Sequence, residues 1–177
     1  EQVGREKVAK ILAGSNESSI RGYRTLTTYG ILSDYSIQTI VSMIGVGDDE
    51  TRSEGFVLKR PLNVRIYGIG EGTSDLVDYA WIFDAEHHKR VWTMSLDNTV
   101  HAGGGQKNRL FDDTIHLAPG SYLVYYKSDG SHSTSDWNTA PPAEAKYYGV
   151  SLFPANRRLN RADIGPFVRP GRGTSAP

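Results

Sequence analysis

Between residues 36 and 153 the apolar and aromatic residues come in about eight short runs, and turn-forming Gly, Pro, Asp or Asn separate them. No run is long enough for a buried helix, and several alternate apolar with polar side chains, the signature of a strand with one covered face. In residues 62–69, Leu62, Val64 and Ile66 fall on one side and Asn63, Arg65 and Tyr67 on the other. In residues 109–117 the inward set is Phe111, Asp113, Ile115 and Leu117. Residues 77–83, 121–127 and 147–153 read as further strands, and residues 84–89 as a hairpin connection into 90–95. Residues 36–46 carry apolar side chains on both faces, as a strand covered on both sides does. Residues 47–55, 96–108 and 128–146 are polar and read as loops, leaving 56–58 as a brief strand. The expected fold is all-β: an antiparallel β-sandwich of jelly-roll or Greek-key type over residues 37–153.

The two ends differ from this block. In residues 5–13, Val8, Ile11 and Leu12 stand at i, i+3 and i+4, which predicts a short N-terminal helix stopped by Gly14. So short a helix needs a surface to lie on. Residues 20–32 read as an extended segment, so residues 1–36 form a helix plus an arm. Residues 154–177 contain five arginines and one acid. With their prolines and few apolar residues they read as a basic, extended C-terminal arm.

Composition narrows the function classes. Twenty basic and twenty acidic residues cancel, which speaks against a general nucleic-acid binder. No apolar run approaches the roughly 18 residues of a membrane span. The chain has no cysteine, which removes disulfides, thiol chemistry and Cys-ligated zinc. The absence of an initiator Met before Glu1 fits a trimmed, exported product, secreted, extracellular or periplasmic. Asn16-Glu17-Ser18 matches a glycosylation sequon.

Two loops offer candidate ligand sites. In HAGGGQKNR (101–109) three glycines could bring backbone amides to an anion, with His101, Lys107 and Arg109 around them. The alternative is a wide turn needing positive φ. In SDGSHSTSDWN (128–138), Asp129 and Asp136 supply oxygen ligands suited to Ca²⁺, while His132 and Trp137 are candidates for a ligand contact. Asp and Ser side chains that cap backbone amides would explain the same loop without a cation. No cofactor is otherwise implied. Catalytic signatures are absent: there is no nucleophile elbow and no paired-histidine zinc motif, and Asp84, Asp112 and Asp113 are not placed by spacing as a glycosidase pair. The expectation is a protein that is not an enzyme.

From Val46 to Phe153 the chain resembles an uncharacterised family of exported prokaryotic β-sandwich domains. The runs that carry the resemblance are GVGDDETRSEGFVLKRPLNVRIYGIGEG, DYAWIFDAEHHKRVWTM, HAGGGQKNRLFDD, APGSYLVYYKSDGSHS and DWNTAPP. The APGSY turn also resembles pre-peptidase C-terminal-type sandwich modules, which are non-catalytic. Neither resemblance implies a catalytic residue or a ligand, and Gly130 stands where the first family leads one to expect an acid.

Residues 1–36 and 154–177 are surplus to a complete sandwich. The reading that follows is a structural subunit that self-associates through its ends, as a homo-oligomer or filament. Its anchors would be Ile11, Leu12, Leu26, Ile31, Phe167 and Val168, with Arg157, Arg158 and Arg161 setting register. The alternative is a β-sandwich module that binds a carbohydrate or another polymer through its long loops.

Overall fold

The structure, a computed structural model, describes residues 41–134, 136–155 and 161–167. Ten strands run in chain order: β1 (Ser42–Gly45), β2 (Thr51–Leu58), β3 (Leu62–Gly72), β4 (Leu76–Asp84), β5 (Lys89–Thr93), β6 (Val100–His101), β7 (Asn108–Leu117), β8 (Gly120–Lys127), β9 (Gly149–Pro154) and β10 (Ile164–Pro166). All pairings are antiparallel. Among the described residues there is no α-helix, only 3-10 turns at Ala145–Tyr147 and Arg161–Asp163, and no helix long and apolar enough to cross a membrane. The all-β expectation therefore holds. The predicted helix over 5–13 and the extended segment over 20–32 lie outside the described residues.

The strands form one continuous, curled sheet in the order β1-β9-β3-β4-β8-β2-β10, with β7 also on β3, β6 on β7 and β5 on β4. The corner is made by β3. Its first part lies between β7 and β9, and where β9 ends its last residues pair with β4 instead, Glu71 opposite Asp78. Gly70 permits this corner: a Cβ there would sit 2.0 Å from the Asp78 carbonyl oxygen. No other residue type lets two backbones cross so closely.

The concave side is the core. Val64 and Ile66 of β3, Ala80 and Ile82 of β4, Tyr122, Val124 and Tyr126 of β8, Phe56 and Leu58 of β2, and Val150 and Leu152 of β9 are all buried. This is the period-two set read from the sequence for residues 62–69. In β7, Phe111 and Leu117 are buried and Ile115 half-buried, but Asp113 is exposed.

Two readings of the sequence are corrected. Residues 51–55, expected as loop, belong to β2, which pairs with β8 along its whole length. They are polar because that half of the strand is exposed or half-buried, so no apolar alternation marks it. The long loop over 96–108 contains β6, which pairs with β7.

The described part of the C-terminal arm, residues 161–167, rests on its own domain. β10 pairs with the edge of β2, Gly165 opposite Val57. The Lys59 amide donates to the Asp163 carbonyl at 2.9 Å, and Arg60 lies 3.5 Å from the Asp163 carboxylate. Phe167 lies over Gly55, its ring atoms 2.3–2.7 Å from where a Cβ would stand. Gly55 is thus a socket, empty of side chain, that the ring fills.

Candidate functional site

The corner between β3 and β4 gathers four of the nine buried polar residues among the described residues. Glu71 is the last residue but one of β3, Asp78 stands opposite it on β4, Asn108 begins β7, and His132 comes from the loop after β8. Exposure is 2% for Glu71 and 0% for Asp78, Asn108 and His132. Uncompensated polar groups in such a place are costly, so each should have a partner.

Most do. The Tyr148 hydroxyl donates to Asp78 Oδ2 at 2.5 Å, and the Asp129 amide donates to Oδ1 at 2.7 Å. Burial pushes the Asp78 carboxyl up to about 7, against the opposing pull of those two hydrogen bonds. Asn108 donates through Nδ2 to the carbonyls of Gly103 and Ala140, at 2.8 and 3.0 Å. Its amide orientation is therefore fixed, and its Oδ1 accepts from His132 Nε2 at 2.8 Å. That places the proton of the neutral imidazole on Nε2. The other nitrogen, Nδ1, lies 3.1 Å from Asn138 Oδ1 and 3.5 Å from Glu71 Oε2. Burial holds His132 below its ordinary value, opposed by the charge of Glu71. Trp137 and Tyr148 pack edge-on around the imidazole, with ring centroids 4.6 and 5.7 Å away. The Tyr126 hydroxyl donates to the Ile69 carbonyl at 2.6 Å, and burial raises that phenol well above its ordinary value.

Glu71 is the exception. Its Oε2 is buried and receives no hydrogen bond of regular geometry, but it is in ion-pair contact with Lys107 Nζ. The side chains of this pair are 18% and 3% exposed, Lys107 first. The backbone holds them together: the Gly72 amide donates to the Lys107 carbonyl at 2.9 Å, and Glu71 is registered opposite Asn108.

One carboxylate oxygen from each of Glu71, Asp78 and Asp129 lies within 4.8 Å of the others, a spacing that could face a cation. Lys107 already supplies a positive charge to Glu71. Ca²⁺ takes 6–8 oxygen ligands, and these three carboxylates would have to be freed from Lys107, Tyr148 and two backbone amides to serve. Asp129 Oδ1 accepts from the Ser131 amide at 3.2 Å, the capping role that loop residues of this type fill. Asp136, paired with Asp129 in the sequence reading, is exposed and stands outside this group.

Of the five residues read as ligand contacts, the structure brings Lys107, His132 and Trp137 to this corner. The other two hold their own loop. Arg109 donates to Thr99 Oγ1 at 3.0 Å, to the Thr99 carbonyl at 2.7 Å and to the Leu96 carbonyl at 3.2 Å. His101 is exposed, with Nε2 3.0 Å from the Gly105 carbonyl. The triple glycine is a packing device. Gly104 has φ +68° and a Cβ there would lie 1.9 Å from the Pro141 carbonyl, while the Gly105 amide is spent on the Ala140 carbonyl at 2.9 Å. These contacts zip the two long loops together at one end of the sheet.

The remaining carboxylates serve the scaffold. Asp84 is buried, which would raise it, yet bonds from the His87 amide and ring and the Glu86 amide hold it below the usual range. Asp112 forms a two-point pair with Arg65 at 2.7 and 2.8 Å, and the Thr114 amide donates to Asp113 at 2.6 Å. On the convex face Trp81 and Tyr125 stack at 4.9 Å with planes 4° apart, and the Arg90 guanidinium lies 4.7 Å over Trp81. Trp81 has a ring neighbour on one side and a cation over its ring, so this row is not a bare platform for a sugar.

The sequence reading missed Glu71, Asp78, Asn108, Tyr126 and Tyr148. A signal existed for Asp78: it alternates with Ala80 and Ile82, and so had to point inward. Of the interface residues, Phe167 lies on Gly55 of its own chain. Ile11, Leu12, Leu26, Ile31, Arg157, Arg158 and Val168 lie outside the described residues, as does the side chain of Arg161. No protein-family model matches the chain, and no curated protein matches it.

Proposed function

We propose that this chain is a non-enzymatic, extracellular structural subunit that self-associates through its terminal segments. The two strand groups on either side of the β3 corner are, in this reading, the layers of the expected sandwich. The observation that supports the assembly is the docking of β10 on β2. A strand of three residues, Ile164–Pro166, completes the edge, and Phe167 fills the Gly55 socket. Such a strand is short, half-buried or exposed along its length, and separated from β9 by several residues. The edge it leaves presents backbone donors and acceptors to any equivalent strand. A neighbour's residues 164–167 fit the socket by the same contacts, and head-to-tail repetition of that exchange gives an open chain of subunits. The corner cluster speaks for scaffold over catalysis, because Glu71, Asp78, Asn108 and His132 are buried and most are paired with neighbouring groups.

Light scattering over a range of concentrations tests this. The full chain is expected to show masses above its 19.5 kDa subunit, increasing with concentration. Phe167→Ala, which empties the socket, is expected to return it to the subunit mass. A full chain that stays at the subunit mass throughout contradicts the proposal.

A second reading, a polymer-binding module, is favoured by the meeting of the two long loops at one end of the sheet. Binding on a glycan array, with and without Ca²⁺, would support it.

A further inference from the structure

Lys107 and Glu71 are placed as a largely buried ammonium–carboxylate pair would be, but also as two groups that can condense. Three features go beyond an ordinary ion pair. The first is contact: Nζ lies on Oε2, and the backbone bond from the Gly72 amide to the Lys107 carbonyl holds the two residues side by side. The second is that Oε2 is buried without a hydrogen bond of regular geometry, so its charge rests on the lysine, the neutral His132 presenting only the lone pair of Nδ1 at 3.5 Å. The third is an acid next door. Asp78 is registered opposite Glu71, with carboxylate oxygens of the two residues within 4.8 Å.

We infer that Lys107 Nζ and Glu71 Cδ become joined in an intramolecular amide bond, with Asp78 relaying the protons. One proton passes from the Lys107 ammonium to the Glu71 carboxylate, which turns the ion pair into a neutral amine and a neutral acid. The amine lone pair then forms the N–C bond. Asp78 gives its proton to the oxygen that departs and takes one from the nitrogen, so it ends as it began. One carboxyl oxygen leaves with two protons as water. Nothing is oxidised or reduced, and no co-reactant is needed.

The surroundings favour each part of this. Asp78 is driven toward its protonated form by burial, and the hydroxyl of Tyr148 and the amide of Asp129 fix its orientation. A low-dielectric site penalises the charged pair and not the neutral amide, so condensation removes the buried charge of Glu71 and the half-buried charge of Lys107. Fixed neighbours also react as though at about 10⁵–10⁸ M. That offsets the unfavourable equilibrium of amide formation in water. The bond would tie the end of β3 to the loop entering β7, at the corner where the sheet changes partners.

Intact mass measurement of the denatured full chain decides the matter. The wild-type chain is expected to weigh less than its sequence by one water, and fragmentation is expected to recover a branched peptide joining the segments around Glu71 and Lys107. Lys107→Arg is expected to show its full sequence mass. A wild-type chain of full mass, with Glu71 and Lys107 recovered in separate linear peptides, overturns the inference. For the relay, Asp78→Asn is expected to keep its full mass while its circular dichroism matches the wild type. If that variant does not fold, Tyr148→Phe, which keeps the ring, is expected to slow the loss of water after refolding. Water loss in folded Asp78→Asn, or an unchanged rate in Tyr148→Phe, removes Asp78 from the reaction.

Discussion

At the scale of single residues, Asp78 governs how the fold behaves between acid and neutral pH. Its carboxyl is raised from 3.8 to about 7, mainly by burial. The folded chain therefore binds a proton that the unfolded chain has already released between those pH values. Stability contributed by this group is fully present below pH 4 and falls as pH rises toward 7. The size of the loss is on the order of 4 kcal/mol at most. His132 works the other way: burial lowers it, so the unfolded chain takes up its proton first and stability falls as pH drops below the ordinary histidine range. Denaturant midpoints of Asp78→Asn measured from pH 4 to 8 are expected to lose the fall with rising pH and keep the histidine-driven rise. A midpoint profile identical to wild type would show that Asp78 ionises freely. Gly104 gives a second expectation. Its φ of +68° and the 1.9 Å approach to Pro141 leave no room for a methyl group. Gly104→Ala is expected to lower stability by about 2 kcal/mol or more, read as a lower melting temperature.

At the scale of elements, what could be read from the sequence followed exposure. β3, β4 and β8 have one buried and one half-buried face, and their alternation marks them. β2 hides its first half, because Thr51, Arg52 and Ser53 are exposed while their backbones pair fully with β8. A ladder of backbone bonds leaves no trace in side-chain pattern when neither face is buried. β6 is two residues long, below anything a period can reveal. β10 was hidden for another reason. Its partner is a glycine socket more than a hundred residues upstream, and no local signal connects Phe167 to Gly55. The corner cluster was half legible. Lys107, His132 and Trp137 stood out as loop residues with chemistry, but their partners Glu71, Asp78 and Tyr148 are strand or strand-flanking residues brought in by the turn of the sheet. At this scale β10 should open alone. Amide hydrogen exchange at Ile164 and Gly165 is expected to be orders of magnitude faster than in β3 and β9, and faster still in Phe167→Ala. Equal protection in β10 and β3 would show a strand locked to the domain.

For the whole molecule, one curled sheet accounts for the core, the corner and the docked strand together. The long loops close one end of the sheet with their glycines and Asn108, and β10 covers one edge. What separates a lone domain from an assembling subunit is whose strand occupies the β2 edge. The chain has no cysteine, so a pair can be introduced without competition. Val57 and Gly165 are registered partners, and a Cβ on Gly165 would lie 3.6 Å from the Val57 Cβ, close to disulfide geometry. Val57→Cys and Gly165→Cys are placed on separate chains, mixed, and oxidised. The structural-subunit account expects a disulfide-linked heterodimer on a non-reducing gel, formed by strands exchanged between copies. Mixed chains that stay monomeric, while the double variant closes its disulfide within one chain, would contradict it.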